Sequence, residues 1–334
     1  MKANLYLTEQ GAVLRKTGNR LIVEKDNVEL LEIECFKLDT IIVFGNVHMT
    51  TPALTELLDH GIELALLTQG GRLKGQLTPP KSKNVILRMA QYEKSQNLAC
   101  CLPLARTFTA GKVRNALSLL TRQHRNYPER GFAFFREELE RLLEGIATAE
   151  TLESLRGLEG TAARTYFSGF ALACRTELSF EGRRRRPPTD PINALLSFGY
   201  TLVGAELASL LDAMGYDPYI GFYHQLDYGR PSLALDLLEE FRVPAVDRLV
   251  LNLANLRTLQ ASDFIADEES GGLRLEHKAL RKFFHAYEAH LNKEFSDKAT
   301  GGLTTLRKTF RRQAERLAGH ISRGQTYTPF LAEW

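Results

Sequence analysis

Residues 221–246 read GFYHQLDYGRPSLALDLLEEFRVPAV, and the helical half of the chain is organised around them. His224 lies in a loop punctuated by Gly221, Tyr223, Tyr228 and Gly229. Pro231 and Ser232 then open a helix, because serine caps helix starts and proline cannot sit deeper in one. Asp236 and Glu239 follow three residues apart, so both carboxylates leave one helix face. Upstream, residues 155–174 read LRGLEGTAARTYFSGFALAC. At helical spacing Leu152, Leu155, Ala163, Tyr166 and Phe170 form one apolar stripe, with Glu159 in its middle. A carboxylate aimed into an apolar face is costly unless it is paired or bound to a metal. The placement predicts a cation beside Glu159: an ion, or Arg156 or Arg164 as a structural partner.

Outward from these segments the chain changes character once. Residues 3–45 read as short strands broken at Gln10-Gly11, Gly18-Asn19 and Asp26-Asn27. A short helix opens at Thr51-Pro52 and stops at Gly61. Two further strands flank Gly70-Gly71, a two-residue hairpin signal. Pro79-Pro80 and KSKN then read as a linker. From Val85 the period is helical, and the clearest helix spans 190–214, with Asp190 as cap, Pro191 in first position and Gly215 as stop. The fold class is α+β: a small β-rich domain over 1–83, then a larger all-α domain over 84–334.

The 334 residues suffice for two packed cores, and the net charge of +3 says less than its distribution. Between Arg106 and Arg130 six Lys/Arg face one acid, and between Gly271 and Trp334 twelve face six. Arg183, Arg184, Arg185 and Arg186 are consecutive. Clusters of this kind suit a phosphate backbone, with Arg122, Arg125 and the 183–186 run as candidate DNA contacts. Cys35, Cys100, Cys101 and Cys174 show no CxxC spacing, which argues for reduced structural thiols in a cytoplasm. The start lacks a signal-peptide pattern, and no uninterrupted apolar run approaches the ~20 residues of a membrane span, so a cytoplasmic protein without membrane contact is expected.

One histidine with several carboxylates is a hard, mostly oxygen ligand set, better suited to Mg²⁺ or Mn²⁺ than to zinc. Such ions serve phosphodiester chemistry by polarising the phosphoryl oxygen and stabilising the leaving oxygen. Nucleotide cradles, a G-x-S-x-G elbow and an HExxH helix are all absent, so the corresponding enzyme classes have no support.

The blocks LEGTAARTYF (158–167), DPINALLSFGYTLVGAEL (190–207), GYDPYIGFYH (215–224) and GRPSLALDLLEEFR (229–242) together resemble the CRISPR-associated integrase family. Its members insert spacer DNA into CRISPR arrays and are metal-dependent DNA endonucleases. The resemblance implies metal ligation by Glu159, His224 and Glu239, with Asp236 at a further acidic position of the catalytic site. It also implies a homodimer joined through the β-rich domains, assembly with a small CRISPR-associated companion subunit, and double-stranded DNA, spacer precursor and repeat, as the substrate. The sequence has Glu240 where proline is common in the family before the FR pair. Asp236, Glu239 and Glu240 therefore all stand as candidates for the acid that faces the ion. A generic metal-dependent nuclease or phosphoesterase, and a catalytically idle DNA-binding scaffold, are the alternative functions.

Overall fold

The computed structural model describes residues 3–79, 84–184, 186–224, 227–268, 270–297 and 301–333. The chain divides into two compact units, Met1–Lys81 and Ser82–Trp334.

The first unit holds β1 (Ala3–Leu7), β2 (Val13–Thr17), β3 (Arg20–Lys25), β4 (Val28–Glu34), β5 (Leu38–Phe44), β6 (His48–Met49), α1 (Thr51–Asp59), β7 (Glu63–Leu67) and β8 (Leu73–Leu77). They form two four-stranded sheets, ordered β1-β5-β7-β8 and β4-β3-β2-β6. Strands β1, β5 and β7 run parallel, whereas β2, β3 and β4 form an antiparallel meander. The β3–β4 turn is made by Asp26 and Asn27, both at positive φ (52° and 64°), the geometry that a tight hairpin demands. The connection at Gly70-Gly71 is longer than the two-residue hairpin expected. Leu67 pairs with Leu73, and the intervening loop is closed by Thr68 Oγ1 accepting from Arg72 N at 3.0 Å. Leu14, Leu21, Val23, Leu38, Ile41, Val43, Leu57 and Leu64 fill this unit's core.

The second unit is mostly helical. It comprises α2 (Val85–Ser95), α3 (Leu98–Asn126), α4 (Phe132–Thr148), α5 (Leu152–Ala173), α6 (Pro191–Met214), α7 (Ser232–Leu238), α8 (Arg248–Asn255), α9 (His277–Asn292) and α10 (Leu306–Arg323). Two small antiparallel hairpins interrupt it: β9 (Phe264–Asp267) with β10 (Gly272–Leu275), and β11 (Phe295–Asp297) with β12 (Gly302–Thr304). Strands of three or four residues carry too little periodicity to register in the sequence.

Helices α3, α4 and α5 pack on one another, and α6 lies against α7. Helix α3 starts at Leu98, five residues before Pro103, because the Asn97 side chain caps it by accepting from Ala99 N at 2.9 Å. Helix α6 has the expected ends: Asp190 accepts from Asn193 N at 2.8 Å, and Gly215 closes it at φ 98°. By length and composition α6 is apolar enough to cross a membrane. Its apolar residues, among them Leu195, Leu196, Leu202, Val203, Leu207 and Leu211, are buried inside the protein. Helix α7 stops at Leu238 instead of running on, and a wide π-type segment, Arg242–Asp247, joins it to α8. Ser232 is the first helical residue, not the cap, and Pro231 precedes it without a side-chain bond.

Candidate active site

Four pieces of the second unit meet here: the middle of α3, the middle of α5, the loop before α7, and the break after α7. The loop is shaped by Asp236, which is fully buried. Its Oδ2 accepts from the backbone amides of Phe222 (2.6 Å) and Tyr223 (3.0 Å), and its Oδ1 from that of His224 (2.8 Å). Close approach requires Gly221, where a Cβ would fall 2.8 Å from Asp236 Oδ2 and 2.9 Å from Ser232. The fourth bond joins His224 Nδ1 to Asp236 Oδ1 at 2.7 Å. A carboxylate already collecting three N–H donors acts as acceptor, so the imidazole carries its proton on Nδ1 and presents the Nε2 lone pair outward. All four acceptor positions of Asp236 are thus taken. It orients His224 and is not placed to move protons itself.

His224 Nε2 lies 3.7 Å from Glu239 Oε1. Glu239 is 2% exposed and held by two cations: Arg242 Nε donates to its Oε1 at 2.9 Å, and Lys112 Nζ stands 2.7 Å from its Oε2. That second contact lacks the angles of a hydrogen bond, so the buried Oε2 keeps its lone pairs unengaged. Lys112 Nζ also donates to Glu159 Oε1, while Tyr223 O–H donates to Glu159 Oε2 at 2.7 Å. One ammonium therefore bridges two carboxylates from different helices. Burial pushes Glu239 upward in pKa, but the Arg242 and Lys112 charges outweigh it and hold the carboxyl well below its usual range. Burial also opposes ionisation of Glu159, and there too the Lys112 charge wins.

The cation predicted beside Glu159 is present, and it is Lys112 of α3. Arg156 instead donates to Tyr223 O at 3.1 Å, and Arg164 to Thr161 at 3.2 Å. Of the acids left open by the sequence, Glu239 faces the site. Glu240 turns the opposite way and is fully buried, accepting from Gln313 Nε2 at 2.8 Å and from Tyr327 O–H. Lys112, Tyr223 and Arg242 were not singled out from the sequence. Lys112 did leave a signal, because it falls on the stripe of Phe108, Ala116 and Leu119 that α3 buries.

Among the described residues, the group whose ligand atoms all lie within 4.8 Å of one another is Cys35, Glu56 and His60 in the first unit. There Lys16 donates to Glu56, so that carboxylate already has its counter-ion. Glu159, His224 and Glu239 are more widely spaced, with Lys112 between the two acids. Their chemistry nevertheless fits a divalent cation that prefers oxygen. Both carboxylates favour the ionised form, one has an unengaged buried oxygen, and the imidazole is oriented by a second carboxylate, as metal-binding histidines usually are.

The basic candidates separate. Arg125 is exposed on α3 and Arg122 half-buried, close enough to Arg248 for the two charges to repel. Arg183 folds inward, donating to Asn193 Oδ1 (2.8 Å) and Ser197 Oγ (3.0 Å). Arg184 pairs with Glu181 at 3.2 Å, Arg186 is exposed, and Arg185 lies outside the described residues.

Behind Arg242 sits a second buried acid, Asp247, which accepts from Tyr166 O–H at 2.7 Å and from Tyr200 O–H. Burial raises its pKa to about 6, against the opposing pull of the two hydroxyls and of Arg242 and Arg183. A folded-state value above the unfolded one adds stability that is complete below about pH 4 and is lost as pH rises through about 6. Asp247→Asn removes the titration. The variant's stability relative to wild type is expected to improve by roughly 2–3 kcal/mol between pH 4 and pH 8. Urea midpoints across that range check this, and a difference that stays flat with pH refutes it.

Residues 5–289 match the family model described as CRISPR associated protein Cas1. A CRISPR-associated endonuclease Cas1 of Chlorobaculum tepidum is 37% identical, over 98% of this chain and 97% of that protein. Among solved structures, a casposase bound to its integration product superposes with a TM-score of 0.86 at 26% identity, covering 98% of this chain and 93% of that one. The chain in a Cas6-RT-Cas1–Cas2 complex superposes with a TM-score of 0.85 at 26% identity, over 98% of this chain and 36% of that one.

Proposed function

Because the chain belongs to the CRISPR-associated Cas1 family, it is a DNA endonuclease and integrase of CRISPR adaptation, and we propose that its chemistry runs at the Glu159–Glu239 pocket with Mg²⁺ or Mn²⁺. The observation that carries this reading is the pair of carboxylates from α5 and the end of α7, both held ionised across a single ammonium.

Glu159, Glu239 and His224 Nε2 would hold the ion, which takes over the bridging position of the Lys112 ammonium. When bound, it supplies positive charge to a phosphodiester as a 3′-hydroxyl attacks, or as water attacks in plain nuclease action. Asp236 fixes the imidazole through Nδ1, so Nε2 arrives pre-aimed. Tyr223 ties the histidine loop to α5 through Glu159. Arg242 neutralises the far side of Glu239 and stacks 4.6 Å over the Tyr200 ring, which keeps the guanidinium in place.

Arg122, Arg125 and Arg186 are the basic candidates placed to meet DNA phosphates. The inward bonds of Arg183 give it a structural task instead. The exposed Val28, Leu30 and Leu31 on the edge strand β4, with Phe36 just beyond, support pairing with a second copy through the first unit. The Cas1–Cas2 title of the superposed complex supports a small companion subunit here too.

The test is transfer of a short duplex with free 3′-hydroxyls into a plasmid bearing the repeat, with Mn²⁺, at several salt concentrations. Integration is expected in the repeat plasmid and not in its repeat-free control. DNA affinity should drop steeply between 50 and 200 mM salt, by a factor on the order of 10³ if six phosphates are contacted. Equal attack on both plasmids favours the generic nuclease, and binding indifferent to salt removes the phosphate contacts.

A further inference from the structure

Glu239 does not sit inside a regular helix. Helix α7 ends one residue before it, and the π-type segment begins three residues after it. Backbone groups at such a break need partners from outside the helix. The Glu240 carbonyl finds one in Asn115 of α3, whose Nδ2 donates to it at 2.8 Å.

Asn115 is itself clasped by residues far along the chain. The same Nδ2 donates to Phe330 O at 2.9 Å, and Oδ1 accepts from Ala332 N at 2.8 Å. Ser118, one turn further on, donates to Ala332 O at 3.1 Å. The Glu240 side chain accepts from Tyr327 O–H and from Phe330 N. Rings add to these bonds: Phe330 stacks on Phe241 with centroids 5.6 Å apart, and Tyr327 meets Phe108 edge-on at 5.4 Å. Tyr327, Phe330 and Ala332 are buried although no helix or strand contains them. Gly111 completes the seat, since a Cβ there would lie 2.7 Å from Pro329 Cβ and 3.6 Å from Glu240 Cβ. The neighbour of Gly111 is Lys112, which bridges the two site carboxylates.

We propose that the segment 325–333 is a positioning strap of the active site, fixing the backbone that carries Glu239 against the part of α3 that carries Lys112. None of its residues faces the ion. Its effect passes through Asn115, Glu240 and Phe241. The proposal rests on the metal reading of Glu159, His224 and Glu239.

Three variants test it, with Mn²⁺ binding followed by electron paramagnetic resonance. Gly111→Ala improves intrinsic helix propensity, so any loss must come from pushing Pro329 away. Tyr327→Phe deletes one bond to Glu240 and keeps the ring. A chain ending at Gly324 lacks the strap, and a synthetic 325–334 peptide is supplied to it in trans. Leu275→Ala in the β9–β10 hairpin serves as a destabilised control. Gly111→Ala and the shortened chain are expected to bind Mn²⁺ at least about tenfold more weakly, as for other supports of metal ligands, with the peptide restoring binding to the shortened chain. Tyr327→Phe should show a smaller loss in the same direction, and Leu275→Ala none. Should the shortened chain fail to fold, the two point variants decide. Folded variants that bind Mn²⁺ as tightly as wild type overturn the strap and leave the metal reading intact. A wild-type protein that binds no Mn²⁺ overturns the metal reading and the strap together.

Discussion

Glu239→Gln is expected to lower strand transfer and cleavage by about three orders of magnitude while DNA affinity changes less than about threefold. The substitution preserves shape and removes a charge that faces His224, Lys112 and Arg242 together. Several kcal/mol of phosphoryl charge stabilisation depend on a bound divalent ion, and each 1.36 kcal/mol is tenfold in rate. Binding draws instead on arginines spread over the surface, none of which touches Glu239. Glu159→Gln and His224→Ala should follow the same pattern. Circular dichroism must show the variants folded, because Arg242 loses its buried partner. Integration by Glu239→Gln within tenfold of wild type would exclude Glu239 from the chemistry.

Lys112→Met should be the most destabilising single change at the site in metal-free buffer, by about 3–5 kcal/mol. Its ammonium, 13% exposed, stands between two carboxylates that favour the ionised form. Without it Glu159 and Glu239 repel each other, and one must take up a proton or the helices must part. A divalent ion restores the missing charge in the same place. Saturating Mn²⁺ is therefore expected to raise the melting temperature of Lys112→Met by more than that of wild type. Equal Mn²⁺ shifts in both proteins would show that ammonium and ion do not share one position.

Both predictions concern residues of unequal visibility in the sequence. The β-rich start and the helical remainder were legible because period two gives way to period 3.6 near Val85, and because Asp190, Pro191 and Gly215 mark helix ends by their own backbone chemistry. Glu159 was legible as a charge on an apolar stripe. What escaped depends on partners distant in the chain. Lys112 bonds across 47 residues to Glu159, and Asn115 across 217 to Ala332. No local pattern encodes such distances. The break after Leu238 escaped for a related reason, since LDLLEEF has good helical periodicity and the interruption follows from what surrounds it. The inward turn of Arg183 is a similar case, because four consecutive arginines look alike until Asn193 and Ser197 are near.

The π-type segment has a consequence for how the length of the chain can vary. Such a segment holds one residue more than an α-turn of the same span. Deleting a single residue between Val243 and Val246 would let the helix close up, and everything after it would rotate by about 100° about the axis, one residue's share of a 3.6-residue turn. Asp247 would then point away from Tyr166 and Tyr200, and α8 would present a different face to α9. Substitutions at these positions alter packing by degrees, whereas a change of length alters which residues face inward at all. Among natural relatives this span should therefore accept changes of residue far more readily than gaps, and an alignment that opens a gap here has more cause to be redrawn than to be believed.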